Sequence, residues 1–140
     1  MEENNINYHK IPIQIRFSDM DALGHVNNSF YAQYYDVGRI NYFEDVLGGK
    51  LNWSDVTLVI VHIEIDFIHP ICQGDEVYVQ SSFLKFGEKS MKMYQRIVDK
   101  KTNEIKSKCT TILSGFNRKN NSSEIIPEEL KEKFISYQEK

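Results

Sequence analysis

Between residues 19 and 28 the chain reads Asp19-Met20-Asp21-Ala22-Leu23-Gly24-His25-Val26-Asn27-Asn28, its densest gathering of titratable and helix-capping side chains. A carboxylate within reach of a polarised carbonyl can draw a proton from water or attack the carbon directly. Asp21 and His25 are the titratable candidates for that work, while Asp19 reads as a residue that caps or turns the backbone. Asn27, Asn28 and Ser29 can each accept from the unpaired N–H groups of a helix start. Such a start offers donors and a positive dipole end to a developing oxyanion. A metal centre is not expected: His9, His25, His62 and His69 show no ligand pairing, and one Asp-x-Asp does not make a cation cage.

Those residues need a strand before them and a helix after them. Ile11 to Phe17 alternates apolar with polar residues, Ile13, Ile15 and Phe17 against Gln14, Arg16 and Ser18, the period of a strand with one buried face. Asp19 to Gly24 then suits a loop. From Phe30 to Leu47 apolar residues fall on two overlapping faces, Phe30-Tyr34-Val37 and Tyr31-Tyr35-Gly38-Tyr42, which predicts a long, largely enclosed helix. Tyr31, Tyr34 and Tyr35 read as core or pocket wall rather than as acids. Gly38 costs about 1 kcal/mol relative to alanine in a helix interior, so its presence predicts close packing on a neighbouring element. Asp36 and Arg39 have the spacing of a helix ion pair, and Gly48-Gly49 is a helix stop.

After a turn around Asn52 to Asp55, Val59, Val61, Ile63, Ile65 and Phe67 share one face of a predicted strand, with Leu58, Ile60, His62, Glu64 and Asp66 opposite. His62 and Glu64 read as sheet surface. Pro70 ends the strand and Gln73-Gly74-Asp75 turns the chain. Three more alternating segments follow, Glu76 to Phe86, Ser90 to Asp99 and Ile105 to Phe116, joined by short links at Gly87-Glu88 and Lys101-Thr102-Asn103. Pro127-Glu128-Glu129 opens a short helix, about 127–138, with proline first and acids in its first turn. The order is that of an α+β hot-dog fold, a five-stranded antiparallel sheet wrapped around one long central helix. Such a sheet leaves an open edge, so pairing of two copies edge to edge is expected.

The chain has 140 residues, 41% hydrophobic and 26% charged, which suits a single domain over 1–140 with a sizeable core and argues against a disordered chain. A net charge of −3 and a pI of 5.8 argue against nucleic acid as the partner. Within that total, residues 85–108 hold eight bases against three acids, either a landing strip for a polyanion or a solvated sheet face. Cys72 and Cys109 lie far apart without metal-site spacing and with nothing nearby to activate a thiolate, which fits a reducing compartment. Met1 to Asn5 lacks the pattern of a secretory signal, and no apolar run reaches the roughly 18 residues of a membrane span. A cytoplasmic location is expected.

The stretch Ile15-Arg16-Phe17-Ser18-Asp19-Met20-Asp21-Ala22-Leu23-Gly24-His25-Val26-Asn27-Asn28-Ser29-Phe30-Tyr31, with Tyr35 and Arg39 beyond it, resembles the signature of the 4-hydroxybenzoyl-CoA thioesterase branch of hot-dog acyl-CoA thioesterases. Ile65-Asp66-Phe67-Ile68-His69-Pro70 followed by Gly74-Asp75-Glu76-Val77 is similar to that family's second recurrent block, so the resemblance covers about residues 10–118. It implies hydrolysis of a thioester between an acyl group and coenzyme A, or an acyl carrier protein, with no metal or organic cofactor. It places the catalytic carboxylate on Asp21, the carbonyl-polarising N–H at Asn28, and a pocket shaped by Gly24, Val26, Asn27 and Tyr31. The Gly-His-Val-Asn-Asn form is similar to that of plant acyl-carrier thioesterases, in which an asparagine two residues on and a histidine four residues on assist the aspartate. Here the histidine is His25 and the asparagine position holds Leu23, which leaves Asp21 with His25. Lys85, Lys89, Lys92, Arg96, Arg118 and Lys119 are candidates for the phosphates of coenzyme A. The resemblance further implies dimers with a shared active site, and tetramers. The alternatives are a hot-dog dehydratase, whose histidine and acid patterns are not matched, and a non-catalytic acyl-CoA-binding protein.

Overall fold

A computed structural model describes residues 6–49 and 58–139. The strands are β1 (His9–Ile13), β2 (Leu58–Phe67), β3 (Val77–Phe86), β4 (Ser90–Asp99), β5 (Ile105–Asn117) and the two-residue β6 (Ser122–Ser123); the helices are α1 (Asn28–Leu47) and α2 (Glu128–Gln138). The main sheet is antiparallel in the order β1-β3-β4-β5-β2, with β6 added to the end of β5. This is the hot-dog arrangement expected from the sequence. The turn expected around Asn52 to Asp55 lies outside the described residues.

Helix α1 packs along one face of the sheet through Tyr31, Tyr34, Tyr35, Gly38, Arg39, Tyr42 and Phe43. Its first half joins Ile71, Val77, Val79 and Ile97 in one apolar cluster, and its second half joins Phe83, Met91, Met93, Leu113, Ile126 and Phe134 in another. Gly38 lies where they meet: a Cβ there would collide with the Val79 side chain, so the expected close approach is to β3. Beside it the Asp36–Arg39 pair forms, but not as an ordinary surface pair. Arg39 is 6% exposed and turns inward to Gln95 Oε1 (3.3 Å) and Thr111 Oγ1 (3.4 Å). Gln95 Nε2 in turn donates to the Tyr35 carbonyl and to Ser81 Oγ, both at 3.0 Å, so a polar seam crosses the core under mid-helix.

Four strands depart from the alternation in the sequence; β3 and β5 each carry one extra residue, Leu84 and Lys106, and the first strand and β2 change the expected faces most. The first is shorter at its C-terminal end than Ile11 to Phe17 suggests, because Asp19 takes over the backbone there. Its N–H donates to the Arg16 carbonyl at 2.9 Å and its carboxylate accepts from the Arg16 N–H at 3.2 Å, winding Phe17–Asp19 into a 3-10 turn. Phe17, expected on a buried face, is 83% exposed. In β2 the register slips between Ile60 and His62, where Val61 is an extra residue. A bulge reverses which side chains face inward. Ile65 packs on the first core cluster, while beyond the bulge Leu58, not Val59, reaches the second.

Candidate active site

The residues from Met20 to Val26 form a tight turn pinned on both sides. Met20 bridges to Val26, the Asp21 N–H donates to the His25 carbonyl at 2.7 Å, and the Gly24 N–H donates to the Asp21 carbonyl at 3.1 Å. Gly24 has φ +77°, a left-handed backbone that glycine adopts without steric cost. On its outer side the turn is tied to the segment after β2, through the Val26 N–H to the Ile71 carbonyl (2.8 Å) and the Gln73 N–H to the Gly24 carbonyl (3.1 Å). Asp21 belongs to the turn as well as to the pocket. Its Oδ1 accepts from the N–H groups of Leu23 (2.9 Å) and His25 (3.2 Å), while Oδ2 accepts no hydrogen bond among the described residues.

The helix start divides its donors unequally. Asn27 is the cap: its side-chain oxygen accepts from the Ser29 N–H (3.0 Å) and Ser29 Oγ (2.9 Å), and its carbonyl accepts from the Phe30 N–H (2.9 Å). The Asn28 N–H finds no acceptor among the described residues. A first-turn N–H has no partner inside its own helix, and this one stands at the positive end of a 20-residue dipole.

Asp21, His25, Val26, Asn28 and Tyr31 line one side of an open pocket of about 200 Å³, and Phe67, Ile68, His69 and Pro70 line the other. The second wall is anchored on β5 by the N–H groups of Ile68 and His69, which share the Lys106 carbonyl at 2.9 and 3.1 Å. Tyr31 and Phe67 meet edge to face, ring centroids 4.8 Å apart, across the pocket. Burial pushes the Tyr31 phenol above its ordinary range. The arrangement can hold a carbonyl at the helix mouth with a carboxylate beside it.

Of the residues singled out by sequence, Asp21, His25, Asn28, Val26 and Tyr31 come together here. Gly24 and Asn27 shape the backbone without lining the cavity. Lys85, Lys89 and Arg118 do not approach it within one chain. Lys85 lies at the opposite end of β3 from Val77, about 26 Å along the strand at roughly 3.3 Å per residue. The sequence assigns Phe67 to Pro70 no place in the site; the proline that ends β2 is the signal that this segment turns back over the helix mouth. Among the described residues no group of three or more His, Cys, Asp or Glu could hold a metal ion.

The fold, with one helix start opening onto a pocket, is that of hot-dog domains. The chain belongs to the thioesterase-like superfamily, whose family model matches residues 15–134. Among curated proteins it is similar to a chloroplastic acyl-acyl carrier protein thioesterase of Arabidopsis thaliana, 28% identical over a 79-residue alignment that covers 53% of this chain and 40% of that protein. The chain thus matches less than half of that relative's length. Among solved structures it is similar to a thioesterase of Thermus thermophilus complexed with coenzyme A and zinc, with TM-score 0.82 and 26% identity over 97% of this chain and 96% of that one. A predicted thioesterase of Bacillus stearothermophilus shares the fold, with TM-score 0.84 and 23% identity over 94% of this chain and 97% of that one.

Proposed function

We propose that this protein hydrolyses acyl-CoA thioesters to free acid and coenzyme A. Asp21 acts as general base on water or as nucleophile, and the Asn28 N–H holds the carbonyl oxygen as it becomes an oxyanion. The observation that carries this reading is one pocket shared by a carboxylate with an unengaged Oδ2 and an unengaged helix-start N–H. His25, from the same turn, assists at the pocket wall, and Gly24, Val26, Asn27 and Tyr31 set the cavity's shape. An acyl carrier protein in place of coenzyme A is the second substrate reading, favoured by the Arabidopsis relative. The two free cysteines suit a cytoplasmic setting; no helix among the described residues is long and apolar enough to cross a membrane.

A second copy completes the site in this reading. Strand β2 is an open sheet edge, and Ile60, Val61, Ile63 and Phe67 along it are 40–61% exposed, an apolar edge that invites pairing. Two-fold pairing along β2 sets the Phe67 end of one copy beside the Leu58 end of the other. The Leu58 end adjoins Gly115, whose N–H bonds to the Lys89 carbonyl. A second copy's Lys89 and Arg118, with Lys85 nearby, thereby become candidates for the phosphates that the first copy's own surface leaves unmet. Light scattering at micromolar concentration should give a dimer or tetramer; a monomer removes the shared site.

Free-thiol release from a panel of acyl-CoAs differing in length and aromaticity tests the whole reading. Turnover is expected. Tight binding without release would instead make the protein an acyl-CoA-binding module.

A further inference from the structure

Asp19 is fully buried, and the hydrolytic reading gives it no chemical task. Its surroundings nevertheless join the two parts that a reaction at the helix mouth must hold in register. Its Oδ2 accepts from Tyr34 Oη at 2.6 Å, a short charge-assisted bond from the second turn of α1. Its main-chain carbonyl accepts from the Asn27 N–H at 2.8 Å, the residue just before the open donor of Asn28. Arg16 closes the other side with Nη2 3.1 Å from Oδ1. Two residues further on is Asp21. The base therefore rides on the turn and the oxyanion donor on the helix, and Asp19 bonds to the helix through both its side chain and its main chain.

We propose that Asp19, with Tyr34 as its partner, is a positioning residue that fixes the spacing between the Asp21 carboxylate and the Asn28 N–H. The catalytic part rests on the thioesterase reading above; the mechanical part does not. A reacting carbon must sit within a near-attack distance of the base while its oxygen meets the donor, and displacements near 1 Å can cost about a hundredfold in rate. A buried side chain with a fixed acceptor geometry holds such spacing better than an exposed turn does.

Tyr34→Phe removes one oxygen and keeps the ring in the core. On an acyl-CoA that the wild type turns over, we expect kcat to fall at least tenfold with KM changed less than twofold. Combined with Asp21→Asn, the loss should be smaller than the product of the two single losses, because a base already removed cannot be mispositioned. Asp19→Asn, which preserves an acceptor for Tyr34, should retain more activity than Tyr34→Phe. An unchanged kcat, or fully multiplicative losses, overturns the catalytic part. Amide hydrogen exchange supplies a readout free of activity: in Tyr34→Phe the Asn27 amide should exchange at least tenfold faster, with amides of α2 unaltered. If the wild type releases no thiol, the thioesterase reading has failed, and unchanged exchange at Asn27 separately overturns the mechanical role.

Discussion

The two ends of α1 meet their surroundings on opposite terms. At the C-terminal end Gly48 turns left-handed at φ 84°, and the Glu44 carbonyl accepts from both Gly48 (2.9 Å) and Gly49 (3.0 Å). Tyr42 and Phe43 are locked edge to face against Phe134, with centroids 5.1 and 5.0 Å apart, and the His9 ring stacks on Tyr42 while its Nε2 lies 2.6 Å from Asp45. Gln138 serves as a stand-in strand beyond the end of β1: its side chain bonds both the N–H (2.7 Å) and the carbonyl (3.0 Å) of Phe83 and accepts from the Tyr42 hydroxyl (2.9 Å). At the N-terminal end Asp21, Leu23, Asn27 and Asn28 are exposed, and the Asn28 N–H has no acceptor among the described residues. One end is closed by interlocked rings and mostly paired polar groups; at the other a carboxylate oxygen and a helix-start N–H stand open among the described residues.

That division can be broken by mutation. The largest expected effect is at the open end: Asp21→Asn should lower kcat by about 10²–10⁴ while leaving the unfolding midpoint near that of the wild type. An unfolded or fully active variant would dissolve the contrast. At the closed end the signs exchange. Phe134→Ala should cost about 3–5 kcal/mol in denaturant unfolding, yet the molecules that remain folded should turn over at the wild-type kcat. His25→Ala should reduce kcat by less than Asp21→Asn does, and an unchanged rate returns His25 to a purely structural place. Lys89→Glu should raise KM more than it lowers kcat if a second copy's basic end receives phosphates, and an unaltered KM rejects that role.

The smallest effect concerns acid. Burial by itself would raise the Asp19 carboxyl, but the bonds from Tyr34 and Arg16 outweigh it and hold the group below its ordinary value of 3.8. A carboxyl lowered on folding contributes stability that is complete above the unfolded value and lost as pH falls through the folded one. Denaturant midpoints measured downward from pH 5 should therefore decline, with the Asp19 share lost below about pH 3.8, and Tyr34→Phe should shrink that share. An identical decline in wild type and variant would show that Tyr34 does not support the charge.

Much of this was legible before any coordinates. The 3.6-residue pattern from Phe30 to Leu47 and the alternations of β3, β4 and β5 mark the extent of those elements closely, because burial writes its period into the chain, interrupted only by the bulges at Leu84 and Lys106. Asp21 and His25 stood out as titratable candidates because such residues rarely cluster without a local cause, whereas the donor role of Asn28 came from the family resemblance alone. Less was legible where a long-range contact overrides local pattern. Nothing in the spacing of Ile11 to Phe17 shows that Asp19 will seize the Arg16 backbone and expose Phe17. Nor does alternation along β2 reveal the bulge at Val61, since a single inserted residue preserves composition while reversing which side chains face inward.

Sequence alone determined most of the elements, the motif and the chemical types gathered in it, since these depend on residue type and on neighbours a few positions away. Tertiary structure decided which groups share a cavity. It brought Phe67 to Pro70 over the helix mouth, left Lys85 at the far end of β3 and Lys89 in the link after it, and drew Asp19 under Tyr34. The physical reason is range: periodicity and capping act along the chain over one or two turns, whereas a pocket is made by segments whose separation only sheet register and packing set.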